Sequence, residues 1–256
     1  MTFTIRVFNT PHDAGIYVAS LAEFVIMNKR NPVLGLATGQ TPVPFYESLV
    51  RLYECGLDLS HVTTINLDEY VGLSAEHPQS YFHFMKSNLF SKTNLSSSCT
   101  FVPNGASANL VEECLRYDEI LKNYPIDLQI LGIGINGHIG FNEPSDTLIA
   151  KTHVVELRHE TIKSNARFFD SEDQVPKQAI TMGIQSILQA KKIVLMAFGT
   201  EKSKIIEQVV IGNVSTTIPA SILQFHPDVM VILDQDGATD LLKNTDYLDA
   251  NHLKIK

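Results

Sequence analysis

Five short apolar runs alternate along the chain with longer segments of helical period, and this alternation restricts the possible folds more than any other feature. The apolar runs span residues 33–36, 62–67, 128–133, 193–198 and 229–233. The helical segments span residues 14–29, 42–54, 80–89, 110–122 and 201–211. Short runs of Val, Ile and Leu bounded by Gly, Pro, Asp or Asn are typical of buried strands. The pattern predicts an α/β fold, with a doubly wound, mostly parallel, Rossmann-like sheet and helices on both faces.

We predict that residues 1–256 form a single domain, because the chain shows no repeat, long linker or break in composition. The formal net charge of −8 argues against a nucleic-acid or membrane partner, since these require clustered Lys and Arg. Three scattered cysteines and the lack of zinc-ligand spacing predict neither a disulfide framework nor a metal site. The first residues lack the apolar segment of a signal peptide, and we therefore expect a cytoplasmic protein.

Polar motifs follow four of the predicted strands, at residues 38–41, 68–69, 132–138 and 199–202. In sheets of this kind, ligands bind beyond the carboxyl ends of the strands. The four motifs therefore predict a binding site at one edge of the sheet.

The first motif contains Thr38, Gly39, Gln40 and Thr41, between a strand and a helix. A glycine there lets the backbone approach a ligand, and the hydroxyls and the helix N-terminus offer donors to an anion. It is not a Walker loop, because no lysine follows the glycine. The alternative is a tight turn with a helix cap.

The second motif contains Asp68 and Glu69 directly after an apolar run, where buried charge is costly. Consecutive residues of an extended chain point to opposite sides, so we expect only one of them to face the cleft. A carboxylate in a cleft can act as a general base. The alternative is a helix-capping acid in a surface loop.

The third motif is a glycine-rich loop that carries His138, with Glu143 five residues later. A carboxylate hydrogen-bonded to an imidazole fixes its tautomer and raises its basicity. The glycines do not match a dinucleotide-binding fingerprint. The alternative is a structural histidine.

Two cations complete the candidate residues. Lys202 lies in the first turn of a predicted helix, where its charge opposes the helix dipole, and a bound anion would remove that conflict. Arg167 lies in the segment SNARFF. The alternative for Lys202 is a solvated surface lysine. Together the motifs indicate an acid–base enzyme that acts on a phosphorylated small molecule.

At these residues the chain resembles the glucosamine-6-phosphate deaminase family. The matching segments are LGLATGQTP (34–42), NLDEYVGLSAEHPQSY (66–81), LGIGINGHIGFNEP (131–144), SNARFF (164–169) and TTIPASILQFHP (216–227). The resemblance implies a doubly wound α/β fold, no cofactor, and conversion of an amino-sugar phosphate to fructose 6-phosphate and ammonia.

The resemblance also implies roles for individual residues. By matching position, Asp68 resembles the base that takes the C2 proton and returns it at C1, and His138 resembles the group that opens the sugar ring. Asn136, where one branch of the family has aspartate, and Glu143 would assist His138. The implied phosphate-binding residues are Thr38, Gly39, Gln40, Thr41, Arg167 and Lys202. A glycine is frequent in the family at the position of Gln40.

Three other functions compete with this one. A 6-phosphogluconolactonase shares the fold, but the segment IGFNEP and Asp68 point away from it. A galactosamine-6-phosphate deaminase differs only in the C4 stereochemistry of its substrate. The effector domain of a transcription regulator would need a basic helix-turn-helix segment, which neither end of the sequence supplies.

Some family members are hexamers activated by N-acetylglucosamine 6-phosphate, but residues 145–156 offer only Lys151 and His153 as basic groups. We therefore expect a non-allosteric monomer or small homo-oligomer.

Overall fold

A seven-stranded parallel sheet forms the centre of the computed structural model, which describes residues 3–244. Its strands are β1 (Thr4–Phe8), β2 (Val33–Leu36), β3 (Thr63–Asn66), β5 (Thr100–Phe101), β6 (Leu128–Leu131), β9 (Ile193–Ala197) and β10 (Val229–Asp234). Their spatial order is β1-β10-β9-β6-β2-β3-β5, and every neighbouring pair runs parallel.

A second sheet of three antiparallel strands lies beside the first. It contains β4 (Asp68–Tyr70), β7 (His153–Glu156) and β8 (Gln178–Thr181), in the order β4-β8-β7. Only Leu67 separates β3 from β4 along the chain. The chain therefore passes from the large sheet to the small one directly at the carboxyl end of β3.

The described residues contain eight α-helices, of which the first seven lie between strands and the last follows β10. They are α1 (Pro11–Asn28), α2 (Val43–Glu54), α3 (Tyr81–Asn88), α4 (Leu110–Asn123), α5 (His159–Asn165), α6 (Ile184–Leu188), α7 (Thr200–Ile211) and α8 (Thr239–Leu242). The side chains of Thr10, Ser80 and Asn109 cap α1, α3 and α4 by accepting backbone N–H groups that have no partner within the helix. No helix in this part of the chain is both long and apolar enough to span a bilayer.

Two apolar layers cover the two faces of the large sheet, and β9 shows how the sequence produces them. Leu195 packs into one buried cluster, whereas Val194 and Met196 pack into the other. Because both faces are buried, the strand appears in the sequence as a continuous apolar run. This arrangement confirms the predicted doubly wound, mostly parallel α/β fold.

All five predicted strands and all five predicted helices are present, with ends that differ by three residues or fewer. The sequence interpretation missed β1, β5, the small antiparallel sheet and the helices α5, α6 and α8. The single-domain organisation stays a prediction, since residues 1–2 and 245–256 lie outside the described residues.

Candidate active site

The four polar motifs meet in one cavity of about 220 Å³ at the carboxyl edge of the large sheet. Its polar and charged lining residues are Thr38, Gln40, Thr41, Asp68, Tyr81, Asn136, His138, Glu160, Thr161, Ser164, Asn165, Arg167 and Lys202. Gly39 also lines it, with a φ of +92° that favours glycine. Of the ten residues predicted from the sequence, only Glu143 lies outside the lining.

Asp68 brings a buried carboxyl group to the cavity. It is the first residue of β4 and pairs with Thr181 across the small sheet. Burial, with a smaller contribution from neighbouring Glu69, raises the pKa of Asp68 well above its usual range. Gly140 passes close to it, since a Cβ atom at Gly140 would lie 3.3 Å from Oδ2 of Asp68. The loop thus packs its backbone against the acid.

Glu69 points away from the cavity and caps α3. Its Oε1 accepts the backbone N–H groups of Tyr70 at 2.9 Å and Tyr81 at 2.8 Å, and its Oε2 accepts that of Phe82 at 2.9 Å. Burial raises the pKa of Glu69 to about 7, although these three hydrogen bonds oppose the shift. The expectation that only one of the two acids faces the cleft is confirmed. The helix-capping interpretation fits Glu69, which is buried rather than in a surface loop.

His138 is held by Asn136, which in turn contacts Glu143. The Nδ1 atom of His138 lies 2.7 Å from Oδ1 of Asn136, and Nδ2 of Asn136 donates to Oε2 of Glu143 at 2.9 Å. Because the carboxylate only accepts, the amide must turn its nitrogen toward Glu143 and its oxygen toward His138. Nδ1 of a neutral His138 therefore carries the proton, and Nε2 is the free acceptor.

This arrangement corrects one expectation from the sequence. Glu143 was expected to bond directly to the imidazole, but its Oε2 lies 3.5 Å from Nδ1 of His138. The shorter contact goes to Asn136, which lies between the carboxylate and the ring. Gly134 allows this packing, because a Cβ atom there would come within 2.2 Å of the His138 ring.

Glu143 is buried and has a partner at each oxygen. The Oγ1 atom of Thr161 donates to Oε1 at 2.5 Å, and Asn136 donates to Oε2. Burial alone would raise the pKa of Glu143, but contacts with His138, Thr161 and Asn136 outweigh it and lower the pKa. Glu143 therefore remains a carboxylate near neutral pH.

Arg167 and Lys202 both line the cavity. Burial, with a smaller contribution from the nearby Arg167 charge, lowers the pKa of Lys202, while Glu201 opposes the shift. Arg167 is exposed and Lys202 is half-buried. Their like charges repel each other, and a bound dianion would relieve this repulsion. Lys202 lines the cavity, and an anion site there stays a prediction.

The start of α7, which carries Lys202, is fixed by the end of β10. The backbone N–H of Gly199 donates to both carboxylate oxygens of Asp234, at 3.0 and 3.1 Å. Gly199 has a φ of +86°, which favours glycine. The loop that positions Lys202 is thus held to the large sheet.

Several lining residues were not identified individually from the sequence. Tyr81, Ser164, Asn165 and Phe168 lie inside the segments that carry the family resemblance, so a signal for them existed. Thr161 had none, because its place in the site depends on how α5 packs over the glycine-rich loop. Across residues 3–244, no cluster of three or more His, Cys, Asp or Glu could hold a metal ion.

Comparison with known proteins places the chain among sugar-phosphate enzymes. The model of the family described as glucosamine-6-phosphate isomerases/6-phosphogluconolactonase matches residues 10–231. A glucosamine-6-phosphate deaminase of Clostridium perfringens is 54% identical over 214 residues, covering 82% of this chain and 88% of the relative. One from Thermoanaerobacter pseudethanolicus is 51% identical over 223 residues, covering 86% and 88%.

Solved structures of enzymes from the same family superimpose on this chain. The structure of a monomeric glucosamine-6-phosphate deaminase superimposes with a TM-score of 0.91 at 41% identity, covering 93% of this chain and 100% of that one. A 6-phosphogluconolactonase from Trypanosoma brucei has a TM-score of 0.76 at 18% identity, covering 94% and 99%. At that identity the second likeness concerns the fold alone.

Proposed function

The chain belongs to the family of glucosamine-6-phosphate isomerases and 6-phosphogluconolactonases, and we propose that it converts glucosamine 6-phosphate to fructose 6-phosphate and ammonia. One observation carries the proposal: a buried carboxyl group, Asp68, and an oriented imidazole, His138, share a cavity with two cations. Deaminases more than 50% identical to this chain support the choice of reaction.

Ring opening is the first step, and we assign it to His138. Opening a pyranose requires a proton to leave the C1 hydroxyl and a proton to reach the ring oxygen. The free Nε2 atom of His138 can accept the first proton and then donate one, since Asn136 holds the opposite nitrogen. Glu143 stabilises the imidazolium that forms between the two transfers.

Isomerisation follows, and we assign it to Asp68. The carboxylate removes the C2 proton of the open aldehyde, and protonation of the aldehyde oxygen gives an enolamine. The same carboxyl group returns the proton to C1, which leaves an imine at C2. A pKa raised by burial suits a group that must both take and return a proton. Water then adds to C2, and the C–N bond breaks to release ammonia.

The phosphate of the substrate would bind where the positive groups converge. Arg167 and Lys202 offer charge-assisted hydrogen bonds, and the motif at residues 38–41 offers hydroxyl and backbone donors. Holding the phosphate there fixes the distance between the sugar carbons and the acid–base groups. Gln40 takes part in this lining, in the place where the family often has glycine.

We also propose the metabolic role, cellular location and oligomeric state that the sequence indicates. It acts in amino-sugar catabolism in the cytoplasm, without a cofactor, as a monomer or small homo-oligomer. The monomeric state of one structural relative supports the last point.

The test is product analysis with three substrates. We expect glucosamine 6-phosphate to yield ammonia and fructose 6-phosphate in equal amounts. Galactosamine 6-phosphate tests the C4 epimer, and faster ammonia release from it would reassign the substrate. Hydrolysis of 6-phosphogluconolactone without ammonia release from either amino sugar would replace the proposal with lactonase activity.

A further inference from the structure

Thr161 is a buried hydroxyl residue that both lines the cavity and contacts Glu143. We propose, on the basis of the deaminase function proposed above, that Thr161 is a positioning residue for His138. It would act through two side chains: Thr161 holds Glu143, Glu143 orients the amide of Asn136, and that amide sets the tautomer of His138.

Both oxygens of the Glu143 carboxylate have hydrogen-bond donors, and these donors hold the group in place. Thr161 donates to Oε1, and Asn136 donates to Oε2. Without the Thr161 hydroxyl, Oε1 would be a buried charged acceptor that has lost a hydrogen bond. The carboxyl group would then rotate to reach another donor, or take up a proton and lose its charge.

Either response removes one of the two constraints on Asn136 and leaves only the backbone N–H of His138, which donates to Oδ1 of Asn136 at 3.2 Å. A protonated or rotated Glu143 no longer requires an N–H donor from the amide. The amide could then flip and turn its Nδ2 toward the imidazole. A flipped amide makes Nδ1 of His138 the acceptor and places the proton on Nε2. In that tautomer, Nε2 cannot take the proton of the C1 hydroxyl.

The position of Thr161 in the chain allows loss of the Thr161–Glu143 contact to be distinguished from collapse of the segment around it. Thr161 is in α5, and Arg167 lies in the short 3-10 turn that follows α5 directly. Asn165, at the end of α5, donates to the hydroxyl of Tyr70 at 2.8 Å. The segment is therefore held at two points. Loss of the Thr161 contact alone should leave Arg167 in place, whereas collapse of the whole segment should displace it.

The experiment uses Thr161→Val, which keeps the shape of the side chain and removes the donor, and Thr161→Ser, which keeps the donor. Nitrogen-15 NMR of the ligand-free protein distinguishes the two imidazole tautomers, and His138→Gln identifies the signals of His138. Thr152→Val is the matched control, since the buried Thr152 hydroxyl has no hydrogen-bond partner among the described residues.

We expect Thr161→Val to move the His138 signals away from those of the Nδ1–H tautomer. We also expect kcat to fall roughly tenfold to a hundredfold, by analogy with the loss of a residue that orients a metal-bound histidine. KM should stay within about twofold, since the contacts to the phosphate are intact. Thr161→Ser should restore both readouts, and Thr152→Val should change neither.

Two results would overturn the assignment. One is an unchanged tautomer in Thr161→Val, and the other is a large rise in KM that Thr161→Ser does not correct, which would indicate a structural role. The NMR readout needs no turnover. A wild-type protein that releases no ammonia would therefore refute the deaminase function while the tautomer result still stands on its own.

Discussion

Asp68 and Glu69 are consecutive residues of one short strand, yet their carboxyl groups serve opposite sides of it. Asp68 faces the cavity. Glu69 accepts two backbone N–H groups at the start of α3 and a third from Tyr70, the next residue of the strand. Both are buried. The strand thus separates a group available for chemistry from a group that holds the backbone.

Asp68→Asn should abolish isomerisation while substrate binding persists. The amide keeps the shape of the side chain but cannot take the C2 proton. Turnover should fall by orders of magnitude, with the phosphate contacts untouched. The measurement is proton exchange in heavy water with an open-chain substrate analogue. His138→Gln should retain this exchange, because its defect lies in ring opening.

Glu69→Gln should instead destabilise the protein. An amide cannot replace both acceptor oxygens, so at least one buried N–H group loses its partner, at a cost of about 2 kcal/mol. The change should lower Tm in calorimetry and leave exchange at C2 measurable. If Glu69→Gln stopped the exchange while Asp68→Asn preserved it, the roles of the two acids would be reversed.

Arg167→Ala and Lys202→Ala should each weaken phosphate binding. Loss of a charge-assisted hydrogen bond of about 2 kcal/mol corresponds to roughly a thirtyfold fall in kcat/KM, carried mainly by KM. Steady-state kinetics with glucosamine 6-phosphate measure this. Lys163→Ala and Lys204→Ala are matched controls, since both lysines are exposed and absent from the cavity lining. Unchanged KM in both test variants would place the phosphate elsewhere.

Stability should fall as pH rises through neutrality. Burial raises the pKa of Asp68 well above its usual range and that of Glu69 to about 7. The folded state therefore binds more protons than the unfolded state from about pH 4 upward, so ionisation of these acids opposes folding. Asp68→Asn removes one of them. It should have a higher Tm than wild type at about pH 8 and a shallower decline from about pH 5. Parallel Tm curves for the two proteins would refute this.

Kinetics should be hyperbolic, with or without N-acetylglucosamine 6-phosphate. Within residues 145–156, the basic groups are Lys151 and His153. Burial lowers the pKa of His153, so it is mostly neutral at pH 7. One exposed lysine is a poor anchor for a second phosphate. Rate curves that are sigmoidal and become hyperbolic when the acetylated sugar is added would contradict this prediction.

Five strands of the large sheet were predictable because they are buried on both faces, unlike β1 and β5 at its edges. In β9, residues of both core layers are apolar, so the run at 193–198 is visible without knowledge of its partners. The small sheet left no such pattern. Its strand β4 reads Asp-Glu-Tyr, and only pairing with β8 makes it a strand. Its structure depends on contacts distant in sequence.

In the candidate site, too, the positions of residues after predicted strands could be predicted, whereas their contacts with one another could not. His138 and Asp68 could be placed at one edge, because each follows a predicted strand. The order of contacts could not be predicted, since Asn136 and Glu143 both lie near His138 in sequence. Their bonding depends on how the glycine-rich loop turns at Gly137 and Gly140, both with positive φ. Thr161 reaches Glu143 only through the packing of α5.

The pairing of β1 with β10 sets an order for events on the ribosome. Thr4 lies opposite Met230, so the first strand of residues 3–244 waits for the last strand of that range. At about 5–20 residues per second, the intervening chain takes roughly ten to forty seconds to make. Once β9 has been made, its backbone N–H and C=O groups have no partner strand on the side that β10 later covers. Nascent chains that stall before residue 229 should therefore aggregate, whereas completed chains can close the sheet.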